Sequence, residues 1–261
     1  MASWDYKKID YNSIESKKIS ENKILFQLVT IASFIEITSD LYEKNLAEFY
    51  TGDIFTVNWL ANTWEPEEIQ HGKALKKYIQ TVWPLFDWEN AYNNFRNEYA
   101  ALCTIDEFQP TRAREMLARM VVETGTSTFY KALHRYAEEL GEPILAKIAT
   151  NISKDEVYHY DMFEEVFKKY NQEEKLSRGD ITKIIYARLK EANDEDVSIA
   201  FKHINADASY EEFKKEIKHF AKIYYPYNTS VKMLMRPLKL NKYVEKATAS
   251  TIEKALKVLG I

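Results

Sequence analysis

The sequence predicts an all-α protein, and three observations carry that expectation. Apolar residues recur at three- and four-residue steps along nearly the whole of the 261 residues, the period of helices with one buried face. Only 6 Gly and 6 Pro punctuate the chain, too few for a many-stranded sheet protein with a turn every dozen residues. The breaks in the periodicity fall where chain chemistry stops a helix: Thr51-Gly52-Asp53, Trp83-Pro84, Gln109-Pro110 and Gly141-Glu142-Pro143.

Taken in order, the periodic segments run from about Lys23 to Tyr50, Ile54 to Val82, Trp88 to Cys103, Thr111 to Leu140 and Pro143 to Tyr170. Asp53 and Thr111 are suited to cap helix N-termini, and Pro143 suits a first turn. Several segments reach 28 to 30 residues, roughly 40–45 Å at the helical rise, and short connections between them imply antiparallel packing in a four-helix bundle. Shorter helices are expected beyond it: Ser177–Ala192, Asp194–Asn205, Ser209–Tyr225 and about Leu240–Leu259, with residues 225–240 as an irregular cover. With no linker, low-complexity tract or solenoid repeat, the expectation is one helical domain over 1–261: a bundle at about 23–170 and accessory helices at about 177–259.

Composition narrows the function. The chain is 46% hydrophobic and 29% charged, as in soluble globular proteins. A single cysteine, Cys103, excludes a disulfide scaffold and a thiolate metal cluster. A net charge of −4 gives no general case for nucleic acid as a partner. The longest apolar stretch, Ile24–Ile37, is about fourteen residues, carries Gln27 and Glu36, and is shorter than the roughly 20 residues of a membrane span. The N-terminus lacks an apolar export core, so the expected location is the cytoplasm, with no membrane span. Charge is uneven: residues 201–261 hold 12 Lys and Arg against 6 Asp and Glu, a net of +6, whereas the first 200 hold 24 against 34, a net of −10. Solvated helix faces account for such a basic tail, and an acidic partner is the sharper alternative.

The chemistry is carried by two copies of one arrangement. In Glu68-Ile69-Gln70-His71 and Glu156-Val157-Tyr158-His159 a glutamate stands three residues before a histidine, which puts both on one helix face a turn apart. A carboxylate and an imidazole so placed can grip one metal ion. In dinuclear bundle proteins each such helix is accompanied by another that supplies a single glutamate. The sequence meets that demand: Glu36 lies within apolar Phe34-Ile35-Glu36-Ile37, 32 residues before Glu68, and Glu123 within Met120-Val121-Val122-Glu123, 33 residues before Glu156. A lone Glu-x-x-His is common on exposed helices, but two, each preceded at near-equal spacing by an acid in apolar sequence, are not. Four buried carboxylates would repel one another and cost several kcal/mol each without compensation, and two divalent ions remove both objections. The donor set is hard and oxygen-rich, favouring two iron ions, with manganese or a mixed pair as the alternative. His134, His203 and His219 are expected at surfaces, and Glu43, Glu48, Glu65 and Glu67 away from the metals.

These residues resemble the ferritin-like di-iron carboxylate proteins and, within them, the soluble acyl-carrier-protein desaturases. The resemblance spans about Ile31 to Tyr170. It rests on Trp64-x-x-Glu67-Glu68-x-x-His71-Gly72-x-x-Leu75-x-x-Tyr78, on Glu36 six residues before Tyr42, and on Asp155-Glu156-x-x-His159. It implies that Glu36, Glu68 and His71 hold one iron and Glu123, Glu156 and His159 the other. It implies further that Asp155 hydrogen-bonds around the metal and orients a ligand histidine, and that Thr126 stands at the oxygen site as a proton relay. A homodimer, a ferredoxin-type electron donor and a substrate on acyl carrier protein are implied as well. Where the family has Arg before each ligand histidine, this chain has Gln70 and Tyr158.

The expected function is therefore an O₂-dependent di-iron oxidase that desaturates or hydroxylates an acyl chain held as a thioester on acyl carrier protein. The alternatives are a di-iron hydroxylase or N-oxygenase acting on a small molecule, and a ferroxidase or iron-storage protein. The ninety residues after Tyr170 argue against the storage protein. The radical-generating subunit of ribonucleotide reductase has local motifs that these do not resemble.

Overall fold

The computed structural model describes residues 4–105, 108–191, 195–204, 209–241 and 243. Among them there is helix and no strand, the all-α, helical-bundle architecture that the periodicity predicts. The main helices are α1 (Lys23–Ile37), α2 (Ser39–Phe49), α3 (Ile54–Trp59), α4 (Glu65–Val82), α5 (Trp88–Tyr99), α6 (Arg112–Glu139), α7 (Pro143–Glu174), α8 (Arg178–Glu191), α9 (Glu195–Ile204), α10 (Tyr210–Tyr224) and α11 (Tyr227–Met235). The helix expected at about Leu240–Leu259 lies almost wholly outside the described residues, as does much of the basic tail.

Two compact units divide the chain. The first comprises residues 1–108, 137–151 and 194–214, and the second comprises 109–136, 152–193 and 215–261.

In the first unit, α1 and α4 lie antiparallel. Gly72 of α4 meets Ile37 and Ser33 near the end of α1, while Trp83, just past the end of α4, bonds through its indole N–H to the Ser20 carbonyl before the start of α1. Phe34, Leu46, Leu75, Ile79 and Phe95 are fully buried, each contributing about 1.5–3 kcal/mol by leaving water. The run Lys23–Phe49 passes the length and hydropathy test for crossing a membrane, and 61% of its most apolar window is buried within the protein.

Two helices expected to be continuous are interrupted. The segment from Lys23 breaks at Thr38, whose hydroxyl donates to the carbonyls of Phe34 (3.1 Å) and Ile35 (2.7 Å) and so competes with the helical ladder. The segment from Ile54 passes through a π-helical turn at Leu60–Trp64, closed by the Glu65 N–H on the Leu60 carbonyl. Pro66, which has no N–H for the carbonyl four residues back, is the local reason for the slip. Asp53 caps α3 as expected, accepting from the Thr56 N–H.

The second unit is built on the parts of α6 and α7 beyond their meeting ends, with α8, α10 and α11. Leu117, Leu133, Phe163, Phe167 and Val231 fill its core. Thr111 does not cap α6 with its side chain: its hydroxyl donates to Glu174, which also accepts from the Ala113 N–H at 2.8 Å. The irregular cover expected at 225–240 is in fact α11 followed by a 3-10 turn, Arg236–Leu238. Pro226 starts this segment and Pro237 ends it, so the two prolines bound a helix rather than prevent one.

Candidate metal centre

Each unit holds a triad of two carboxylates and one imidazole. In the first, α1 supplies Glu36 and α4 supplies Glu68 and His71, with exposures of 5%, 7% and 0%. One ligand atom from each lies within 4.8 Å of those of the other two, and His71 Nδ1 stands 3.4 Å from Glu36 Oε2. Two structural facts hold this triad in place. The one-turn spacing stacks Glu68 and His71 on the same face of α4. Gly72 then lets α1 close in: a Cβ there would sit 2.3 Å from Ile37 Cγ1 and 2.9 Å from the Ser33 carbonyl oxygen. Trp4, in the segment before the first helices, lays its ring parallel to His71, the planes 5° apart and the centroids 6.2 Å apart.

The second unit repeats the pattern. Glu123 comes from α6, and Glu156 and His159 from α7, with exposures of 3%, 0% and 0%. Their ligand atoms again lie within 4.8 Å of one another. His159 Nδ1 is 3.8 Å from Glu123 Oε2 and 4.0 Å from Glu156 Oε2. The Thr126 hydroxyl donates to Glu156 Oε2 at 2.7 Å and also reaches the Glu123 carbonyl at 3.2 Å. A polar side chain thus orients one ligand carboxylate. Asp155 is 8% exposed, one residue before Glu156.

The donors fit a metal cation. In both triads Nδ1 faces carboxylate oxygen at 3.4–4.0 Å, longer than a hydrogen bond. Two ligands of one ion with bonds of about 2.1 Å stand roughly 3–4 Å apart, which is this spacing. All six side chains are buried, and buried carboxylates at this density call for positive charge. The donors are oxygen and imidazole nitrogen without sulfur, a set suited to iron or manganese.

The remaining candidates separate as follows. His203 pairs with Glu98 at 2.7 Å, His219 is exposed and His134 is half-buried, so none joins either triad. Glu48 is exposed as expected, but Glu43 and Glu67, expected outside, are 8% and 5% exposed. Burial and the nearby Glu65 hold the Glu43 carboxyl above its usual range. Glu43 stands seven residues after Glu36, about two helical turns and so near the same face, and Glu67 adjoins Glu68, so both border the buried side of their helices. Trp4 and the role of Gly72 were not legible in the pattern, although a glycine immediately after a ligand in a helix is a usable signal for close helix contact.

No curated protein matches the chain. The sequence model of the family described as fatty acid desaturase, in its type 2 form, matches residues 42–175. That stretch includes five of the six triad residues; Glu36 lies just before it and is assigned by its distance to His71 and by its burial. With half of the chain matched and a buried Glu/Glu/His triad in each of its two units, this protein belongs to the type 2 fatty acid desaturase family.

Proposed function

We propose that the protein is an O₂-dependent di-iron oxidase that introduces a double bond into an acyl chain carried as a thioester on acyl carrier protein. One observation carries this reading: within a chain of the desaturase family, the same buried set of two carboxylates and one histidine occurs twice. Glu36, Glu68 and His71 would hold one iron and Glu123, Glu156 and His159 the other. Bound there, an iron pair supplies the activation of O₂ and the removal of two hydrogens from adjacent carbons, with two electrons and two protons from outside and two waters released.

The protein's own groups do the rest. Carboxylates balance the ionic charge, so binding requires them deprotonated and each imidazole neutral at the ligating nitrogen. Thr126 holds Glu156 through its hydroxyl and can pass a proton along that bond. Asp155, buried beside Glu156, serves to fix a ligand histidine by accepting its other N–H. Burial of all six ligands excludes bulk water from the reacting centre. The electron donor is of the ferredoxin type, the active form is a homodimer and the setting is the cytoplasm.

The test is anaerobic loading with Fe(II), reduction, exposure to O₂ with acyl carrier protein thioesters of several lengths, and mass spectrometry. A product lighter by two hydrogens supports the proposal, and its dependence on Fe(II) rather than Mn(II) identifies the metal. A product heavier by one oxygen favours hydroxylation. Turnover of a free small molecule with none of the thioesters overturns the acyl reading.

A further inference from the structure

The buried acids of the first unit do not end with the triad. Glu43 of α2 is 8% exposed, and among the described residues none donates it a hydrogen bond or closes a salt bridge with it. The charge that bears on it most is another carboxylate, Glu65 at the start of α4, which with burial raises the Glu43 carboxyl; the neighbouring Lys44 offsets this only in part. A carboxylate taken out of water to face a carboxylate is costly, and only a proton or a cation relieves that cost.

The helices give this pair a direction. α1 and α4 run antiparallel with Ile37 against Gly72, and α2 carries on past the break at Thr38 to pack on the π-turn and on α4. Counted from that contact, Glu43 stands six residues onward from Ile37 and Glu65 seven residues back from Gly72, so the two acids reach a similar height. Glu65 also precedes Glu68 by three residues, the relation that stacks Glu68 with His71, and the rise between them is about 4.5 Å. Glu65 is half-buried, whereas Glu43, Glu36, Glu68 and His71 are buried. Carboxylates thus form steps inward along α4: first Glu65 with Glu43, then Glu68 with Glu36 and His71.

We propose that Glu43 and Glu65 form a transit site for divalent cations, where an iron ion is held and partly stripped of water before it passes to Glu68 and the first triad. The inference rests on the metal-binding part of the reading above. Two carboxylates without a nitrogen donor make a hard, weakly holding site, suited to capture and release rather than retention. A site on the path lowers the barrier between solution and triad without altering either end state. It therefore speeds entry and escape alike and leaves the affinity of the triad unchanged.

The test is stopped-flow loading of Co(II) into the full-length, metal-free protein, with release into a chelator and an equilibrium titration beside it. The phase that Glu36→Gln weakens belongs to the first triad, and that phase is followed. Glu43→Gln and Glu65→Gln should each slow its loading about five- to tenfold and its release by the same factor, with Kd within about twofold of wild type. Glu48→Gln removes an exposed acid from the same helix and should change neither rate by more than about twofold. Wild-type loading should also slow as salt is raised. Unchanged loading in both Gln variants overturns the transit site and leaves the triads standing. Slower loading with unchanged or faster release, so that affinity falls, makes the two acids supports of the triad and overturns the proposal as well. Wild-type protein that takes up no Co(II) overturns the metal centre itself, and the transit site with it.

Discussion

Gly72→Ala isolates the contact on which the first triad depends. The added Cβ would stand 2.3 Å from Ile37 Cγ1, 2.8 Å from the Ile37 nitrogen and 2.9 Å from the Ser33 carbonyl oxygen. Carbon atoms in contact settle at about 3.5–4.0 Å, so α1 must retreat, because two of the three obstacles are backbone. Overpacking of this kind costs about 3 kcal/mol. The better helix propensity of alanine returns about 1 kcal/mol. The net loss is roughly 2 kcal/mol, a fall in Tm of about 4–8 °C for a chain of this size. Glu36 moves with α1 while His71 stays on α4, so the 3.4 Å spacing opens and metal affinity should fall about tenfold or more. Gly125→Ala is the matched control: Gly125 is an exposed helical glycine, and its added Cβ meets nothing within 4 Å, so stability should rise by about 0.5–1 kcal/mol. Thermal unfolding of the metal-free proteins and anaerobic Co(II) titration measure the two effects. A Gly72→Ala protein as stable as wild type, with unaltered Co(II) affinity, would refute the claim that close approach of α1 and α4 assembles the triad.

Three further outcomes are expected. Thr126→Val removes the 2.7 Å bond to Glu156 and should lower activity about 10–100-fold while metal content is retained, as read by turnover and by metal analysis after gel filtration. Asp40→Ala deletes the two-pronged pair with Arg96 (2.6 and 2.7 Å) that ties α2 to α5, and should cost about 1.5–3 kcal/mol in urea unfolding, with less lost at high salt. The Glu142 carboxyl is raised above its usual range, chiefly by burial, and it accepts from the backbone N–H groups of Ile144 and Leu145. A raised carboxyl makes the folded state bind a proton more tightly than the unfolded state, so its contribution to stability is present below the unfolded value and lost as pH rises through the folded one. Glu142→Gln, which keeps an acceptor for the N–H groups, should therefore gain stability relative to wild type as pH rises above the ordinary carboxylate range; a difference that stays flat as pH rises counts against the assignment.

Sequence alone determined the helical class and most helix limits, and it singled out the six side chains that the structure gathers into buried clusters. Those depend on local rules: a 3.6-residue period marks buried faces, a three-residue spacing stacks Glu and His, and an acid within an apolar run stands out because burying it unpaired costs several kcal/mol. Where side chains act on their own backbone, as Thr38 does, or a proline removes a donor, as Pro66 does, the period alone misses the interruption. Tertiary structure decided the rest. It showed that Gly72 is the point of closest helix approach, that Trp4 lies on His71, that Glu43 and Glu67 turn inward, and that residues 227–238 form a helix and a turn rather than a loose cover. Each of these joins residues far apart in the chain, or depends on which neighbour a side chain meets, and a one-dimensional pattern holds no information about either.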